Sequence, residues 1–273
     1  AFNMRDGFGR EIDYMRISVI DSCNLNCYYC NPCDNNEHCH ALNILSVKEV
    51  LCIVRAATRL GIKHFRLTGG EPLLHPQLDE MVLQIKKIPG VSSVSLTTNA
   101  VLLAQHAKWL KEAGIDSINV SLDTIDASEY ERITKKPLLE EVKHGINAAI
   151  ECGIRVKINV VLTPQTDVVA LTRYVAKKGT DIRFIEMMPV GEGHTNGVEP
   201  YKKVIGTLSK LYGEPCRINT EKTKEINSGN DKRKIPDNGP AEYYIFPELG
   251  IRVGLIQAIH GKFCATCNRI RVT

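Results

Sequence analysis

The sequence predicts an α/β protein shaped as a partial (incomplete) TIM-type barrel of about six βα units, with a small C-terminal β-containing extension closing the barrel mouth. Three observations predict it. Short β-branched runs alternate with amphipathic helical patterns through the first two thirds of the chain. The motifs that carry chemistry fall at the C-terminal ends of the predicted strands, the rim that holds the site in barrel-like folds. Neither G-x-G-x-x-G nor G-x-x-x-x-G-K-[ST] occurs, so an open dinucleotide-binding sheet is the weaker alternative.

The first strand is read at 14–20 (YMRISVI), after a polar N-terminal stretch with no leader pattern. The helix at 46–60 has a start signal in the capping-box pair Ser46 and Glu49 and a stop at Gly61. Val47, Val50, Leu51 and Val54 give it one apolar stripe. Further strands are read at 63–68, 92–98, 117–122, 154–162 and 181–188, and helices at 75–88, 101–113, 139–152 and 167–178. Gly114 and Gly153 stop two of those helices. The rhythm ends near residue 195. Residues 219–238 are polar and turn-rich and read as a long loop. The runs AEYYIFP and IRVGLIQA then read as a hairpin across residues 248–250, and NRIR as a last strand-like segment. The boundaries follow: a core over 1–199 and a C-terminal region over 200–273.

Lys plus Arg number 35 and Asp plus Glu 31, a net charge of +4. That balance does not mark a nucleic-acid binder, and an anionic ligand needs a local basic cluster. No apolar run is long enough for a bilayer span. The expected partners therefore include no nucleic acid and no membrane.

The unusual count is ten cysteines. Cys23, Cys27 and Cys30 form C-x3-C-x2-C directly after the first strand. Three thiolates can hold three irons of a [4Fe–4S] cluster and leave the fourth iron open to a ligand. A second register, Cys27, Cys30 and Cys33, starts a ferredoxin run, but position 37 is Glu where that run needs cysteine. A zinc site from Cys33, His38, Cys39 and His40 stays open beside the plainer reading of a polar loop. Cys264 and Cys267 form C-x2-C, weak alone but followed at once by Asn268, Arg269 and Arg271. Arginines at alternate strand positions share a face and can clamp a polyphosphate. Cys52 and Cys152 read as small core residues, and Cys216 as having no chemical role.

C-x3-C-x2-C, with Tyr29 before its last cysteine, and Gly69-Gly70-Glu71-Pro72 after the second strand resemble the radical S-adenosylmethionine (SAM) superfamily. With LTTNA, NVSLD, RFIEMMPVG, GPAEYY and FCATCNRIR in order, nearly the whole chain resembles the GTP 3′,8-cyclase family of molybdenum cofactor biosynthesis. The resemblance implies a cytoplasmic lyase with two [4Fe–4S] clusters and S-adenosyl-L-methionine. Cys23, Cys27 and Cys30 would hold the first cluster, and Cys264 and Cys267 the second, whose open iron would bind guanine. Tyr29, Gly69, Gly70, Glu71, Thr97, Ser121 and Met188 would bind SAM. Arg16, Arg66, Lys157, Arg183, Arg269 and Arg271 would bind GTP. The implied catalytic set is Cys23, Cys27, Cys30, Arg269 and Arg271. A 5′-deoxyadenosyl radical would take the ribose C3′ hydrogen of GTP, and C3′ would close on guanine C8.

The implied partners are GTP and an electron donor such as flavodoxin or ferredoxin, and a homodimer stays open. In the family a third cysteine completes the second cluster some way past Cys267, so the expectation is one ligand too few by Thr273. His64 stands at a position that is commonly basic in the family, and Asn31 at one that is commonly Met. Two other readings remain: a radical SAM peptide-modifying enzyme and a non-catalytic iron–sulfur electron-transfer protein. Thr97, Thr98 and Ser121 also fit plain helix caps, and Met188 a core filler.

Overall fold

The computed structural model describes residues 4–30, 43–188, 199–218, 241–261 and 267–273. Among them six parallel strands alternate with helices: β1 (Tyr14–Ser18), β2 (His64–Thr68), β3 (Ser93–Thr98), β4 (Ser117–Ser121), β5 (Arg155–Leu162) and β6 (Asp181–Glu186). The helices are α1 (Val47–Arg59), α2 (Leu78–Lys86), α3 (Leu103–Glu112), α4 (Ala127–Thr134), α5 (Leu139–Glu151), α6 (Val168–Lys177) and α7 (Gly206–Tyr212). β7 (Cys216–Ile218), β8 (Glu242–Ile245), β9 (Arg252–Ile256) and β10 (Arg269–Val272) complete one sheet in the order β10-β1-β2-β3-β4-β5-β6-β9-β8-β7. The C-terminal strands thus join both edges of the parallel core. β10 lies parallel beside β1 and β9 parallel beside β6, with β8 and β7 antiparallel beyond.

The predicted strands are present, and the capping box at Ser46 forms, with Ser46 N donating to Glu49 Oε2 at 2.8 Å. α2 starts three residues later than its periodicity suggests. Pro72–Leu74 make a separate 3₁₀ turn, and His75, which precedes Pro76, is held extended at ψ 120°. The β8–β9 hairpin crosses the predicted turn, where Leu249 N donates to Phe246 O at 3.0 Å. The sequence reading missed β7, α4, α7 and the π-helical segment Tyr201–Ile205 that runs into α7. α4 is eight residues long, too short for a strong stripe, yet Asp126 caps it by accepting from Glu129 N at 2.8 Å. The loop read at 219–238 lies outside the described residues.

The strands alternate strictly between two faces. Ile17, Phe65, Leu67, Val94, Leu96, Ile118, Val120, Ile158, Val160, Ile182 and Phe184 point to the helical layer and are fully buried. There they meet Val50, Val54, Met81, Ile85, Leu110, Ile146 and Leu171. Each such side chain contributes on the order of 1.5–3 kcal/mol. The other face carries Tyr14, Arg16, Arg66, Ser95, Asn119, Lys157, Asn159, Arg183, Arg269 and Arg271. Parallel strands covered on both faces usually read as continuous apolar runs. Here the inner face is polar, a lining suited to a polar ligand.

Candidate active site

The chain leaves β1 and reaches Cys23 within a few residues, so the geometry of residues 20–22 fixes where the first thiol stands. The glycine pair after β2 holds that stretch. Gly70 N donates to Ile20 O at 2.7 Å and Glu71 N to Ser22 O at 2.8 Å. A Cβ on Gly69 would lie 2.2 Å from Ile20 O, and one on Gly70 2.2 Å from Ser22 O. Both glycines are required by this close approach. The far side of the cysteine loop rests on α4: Asn26 N donates to Thr134 O at 3.0 Å and Tyr28 N to Ile133 O at 3.2 Å. The helix missed in the sequence therefore supplies the platform for the loop, through C-terminal carbonyls that have no partner within the helix.

Glu71 is buried and spends its carboxylate inside the protein. Oε1 accepts from Leu73 N at 3.0 Å and Thr98 Oγ1 at 2.7 Å, and Oε2 accepts from Asn99 N at 2.6 Å. Burial raises its pKa against those three donors. Tyr29 donates its hydroxyl to Asp123, whose other oxygen accepts from Val161 N at 2.7 Å. Burial pushes the Asp123 carboxyl up to about 6. Burial also raises all three thiols; Cys27 is pushed to about 12, with Asp123, Cys30 and Cys23 adding to its shift.

Behind this loop the inner face of the sheet gathers cations. Arg16 stands in register between Arg66 and Arg271, and Arg269 is paired with Tyr14. The guanidinium carbons of Arg66 and Arg269 lie 5.4 and 4.8 Å from the Tyr14 ring centroid, so one ring spaces two charges. Arg66 also donates Nε to Ser95 Oγ at 3.1 Å, and Arg183 donates Nη2 to Asn119 Oδ1 at 2.5 Å. Burial, with Arg16, Arg183 and Arg269 nearby, lowers Arg66 to about 9. Arg16 falls to about 10 from burial and from Arg269, Arg271 and Arg183. Lys157 is buried on the same face. Gly254 makes room for Arg183: a Cβ there would lie 2.7 Å from Arg183 Cγ. His64 is in register with Tyr14 on the same face. It stacks on Tyr14 with centroids 6.4 Å apart and shares a 2.8 Å hydrogen bond with Ser93.

Thr97 and Ser121 sit on this inner face near the C-terminal ends of β3 and β4, and Met188 lies exposed just past β6. Cys264 lies outside the described residues, as do Asn31, Cys33, His38, Cys39 and His40. Cys267 corrects the expectation that every motif falls at a strand C-terminus. It precedes β10, which runs parallel to β1, so it stands at the opposite end of the sheet from Cys23. Cys267 stands five positions before Val272, the partner of Ile17, about 17 Å at the usual strand rise. The basic residues lie between the two ends. Cys52 also departs from its expected place: it is exposed, and Cys152 is half-buried.

The donor sets fit the implied groups. The first three thiols are free, and Cys30 lies near enough to raise Cys23, and both to raise Cys27, a repulsion that a cationic metal centre reverses. No three His, Cys, Asp or Glu side chains among the described residues form a preassembled site for one metal ion. In an iron–sulfur cluster each thiolate goes to its own iron. On the inner face, Arg16 Nε, Arg183 Nε and Asn119 Nδ2 are buried donors without a hydrogen-bond partner. Such donors suit an anionic, oxygen-rich ligand.

A parallel βα sheet with C-x3-C-x2-C after its first strand and Gly-Gly-Glu-Pro after its second defines a radical SAM protein. The radical SAM superfamily pattern matches residues 17–171, and the Molybdenum Cofactor Synthesis C pattern matches residues 180–273. A GTP 3′,8-cyclase of Clostridium perfringens (strain SM101) is 37% identical over 99% of this chain and 80% of its own. The Listeria monocytogenes (strain EGD-e) GTP 3′,8-cyclase is 36% identical over 99% of this chain and 79% of its own. Among solved structures, Streptococcus suis SuiB aligns with a TM-score of 0.60 at 18% identity, over 73% of this chain and 46% of its own. AdoMet-bound anSMEcpe aligns with 0.58 at 18%, over 73% and 60%. These two share the fold. The chain belongs to the GTP 3′,8-cyclase family.

Tyr14, Asn99, Asp123, Asn119 and Gly254 were not among the predicted site residues. Asn119 and Ser95 had a readable signal, single polar residues inside apolar strands. Asn99 and Asp123 fall within the quoted LTTNA and NVSLD motifs, but their roles could not be read there, because those depend on contacts with residues 76 and 94 positions away.

Proposed function

We propose that the chain cyclises GTP to (8S)-3′,8-cyclo-7,8-dihydroguanosine 5′-triphosphate, the first step of molybdopterin biosynthesis. The observation that carries this reading is the cationic inner face of Arg16, Arg66, Lys157, Arg183, Arg269 and Arg271, in which Arg66, Lys157 and Arg183 are buried, lying between two cysteine sites. Cys23, Cys27 and Cys30 would hold a [4Fe–4S] cluster, and Cys264 and Cys267 ligands of a second. When bound, the first cluster and SAM supply the one-electron chemistry that removes a ribose hydrogen.

The chain's own residues do the rest. The guanidinium pair of Arg66 and Arg269, spaced by Tyr14, grips the triphosphate, and burial of Arg66 makes its contact stronger than in water. Asn119 holds Arg183, and Gly254 gives it space. Gly69 and Gly70 let a SAM amino group approach the backbone, with Tyr29, Thr97, Ser121 and Met188 around it. The walls exclude water and other hydrogen donors. An external donor, a flavodoxin or ferredoxin, supplies electrons in the cytoplasm.

The test is anaerobic reconstitution with iron and sulfide, then incubation with GTP, SAM and dithionite. Chromatography should show 5′-deoxyadenosine and a cyclised nucleotide that depend on GTP. A protein that holds iron and cleaves SAM but leaves GTP intact overturns the substrate reading.

A further inference from the structure

We infer that Asn99 is a positioning residue linking the Gly-Gly-Glu turn to the first cysteine, and that its N–H bond to the Cys23 sulfur sets the reduction potential of the cluster held there. The inference rests on the reading that Cys23, Cys27 and Cys30 hold an iron–sulfur cluster. Asn99 follows β3 and is gripped from three sides. Its backbone N–H donates to Glu71 Oε2 at 2.6 Å, and the preceding Thr98 donates its hydroxyl to Glu71 Oε1 at 2.7 Å. The next residue, Ala100, is fully buried in the left-handed region at φ 66°, and its N–H donates to Thr98 Oγ1 at 2.9 Å. That conformation is costly for alanine and persists where surrounding contacts over-determine it. Gly145 seals the turn from the helical side, since a Cβ there would meet Ala100 O at 2.4 Å.

The side-chain amide can therefore face only one way. Oδ1 accepts from Val101 N at 3.1 Å, which turns Nδ2 toward the cysteine loop. Nδ2 then donates to Asn24 Oδ1 at 2.7 Å and reaches Cys23 Sγ at 3.7 Å. One nitrogen has two hydrogens, one for each acceptor. A donor on a ligand sulfur stabilises the added negative charge of the reduced cluster, so it eases reduction. Glu71 thus acts on the cluster through Asn99, as well as through its backbone bond to Ser22.

The test compares wild type with Asn99→Ser and Asn99→Asp after anaerobic reconstitution. Both variants keep an oxygen that can accept from Val101 N, and both lose the N–H donor. Iron content, the unfolding temperature and a redox titration are measured, the last followed by the electron paramagnetic resonance signal that changes when SAM is added. The expected result is a more negative midpoint potential in Asn99→Ser at wild-type iron content, and a larger shift in Asn99→Asp. Loss of iron in Asn99→Ser at an unchanged unfolding temperature also supports the positioning role. A wild-type potential in Asn99→Ser overturns the inference, as does iron loss together with a lowered unfolding temperature. Wild type that binds no iron refutes the cluster reading itself.

Discussion

Replacing Gly70 by alanine tests whether the glycine pair places the cysteine loop. The new Cβ would stand 2.2 Å from Ser22 O and 2.4 Å from Asp21 O. That is about 0.8 Å inside the closest approach real Cβ atoms make, and the atoms it meets are backbone. Relief requires residues 20–22 to retreat from β2. That breaks the bonds of Gly70 N to Ile20 O and Glu71 N to Ser22 O, at about 1 kcal/mol each. Overpacking adds roughly 1–3 kcal/mol, for a total near 3–5 kcal/mol. In a chain of this size that lowers Tm by about 6–15 °C. The displaced segment leads straight into Cys23, so reconstituted iron should fall below half of the wild-type content. Gly206→Ala is the control: nothing lies within 4 Å of its Cβ, and Gly206 has a helical φ of −61°. It should keep iron and Tm unchanged or slightly raised. Wild-type iron content and a Tm within about 2 °C in Gly70→Ala would refute the reasoning.

Tyr14→Leu removes two cation–π contacts, worth on the order of 1–2 kcal/mol together, so GTP affinity by calorimetry should fall about 5- to 30-fold. Tyr14→Phe should stay near wild type; equal affinity in the leucine variant would remove Tyr14 from the grip. Asp123 binds its proton more tightly folded than unfolded, with a folded pKa of about 6 against an ordinary 3.8. Metal-free protein should therefore lose stability as pH rises from about 4 to about 6, by on the order of 3 kcal/mol. Urea unfolding should show that slope weakened in Asp123→Asn. Asp181→Asn takes the buried carboxylate away from Arg252, which bonds it through Nε at 3.1 Å and through Nη2. A loss of about 3–5 kcal/mol in denaturant unfolding is expected, largely recovered when Arg252→Met is added.

The parallel core was legible because its signals are local. Ser46 and Glu49 announce α1, Gly61 ends it, and alternation along 154–162 marks β5 before any contact is known. The cysteine loop and the glycine pair were legible as spacing. What spacing hides is the partner. Nothing near Glu71 says that its carboxylate holds Asn99, and nothing near Tyr29 points to Asp123. α4 was missed because its eight residues bury only Tyr130, Ile133 and Thr134, and its cap is one aspartate among many polar residues. β7 has three residues, below what periodicity can register. The place of Cys267 could not be read locally either, because strand direction at NRIR is decided by which edge of the sheet it joins.

Among the described residues β10 is the outermost strand beside β1, and none of its four residues is buried. Asn268 and Asp13, which tie its start to the first strand, are 255 positions apart. During synthesis β1 to β6 can form well before this strand arrives, and closing so long a loop is slow. When it docks it sets Arg269 and Arg271 beside Arg16, like charges brought together at a sheet edge. The free protein should therefore open there first, well below the free energy of global unfolding. A polyanion seated among those arginines turns their repulsion into attraction, so ligand binding and closure of β10 become one linked equilibrium. Backbone amides of β10 should exchange quickly with deuterium in the free protein and slow sharply with GTP, while those of β3 barely change. The site is then an annealing seam, finished by the molecule it binds.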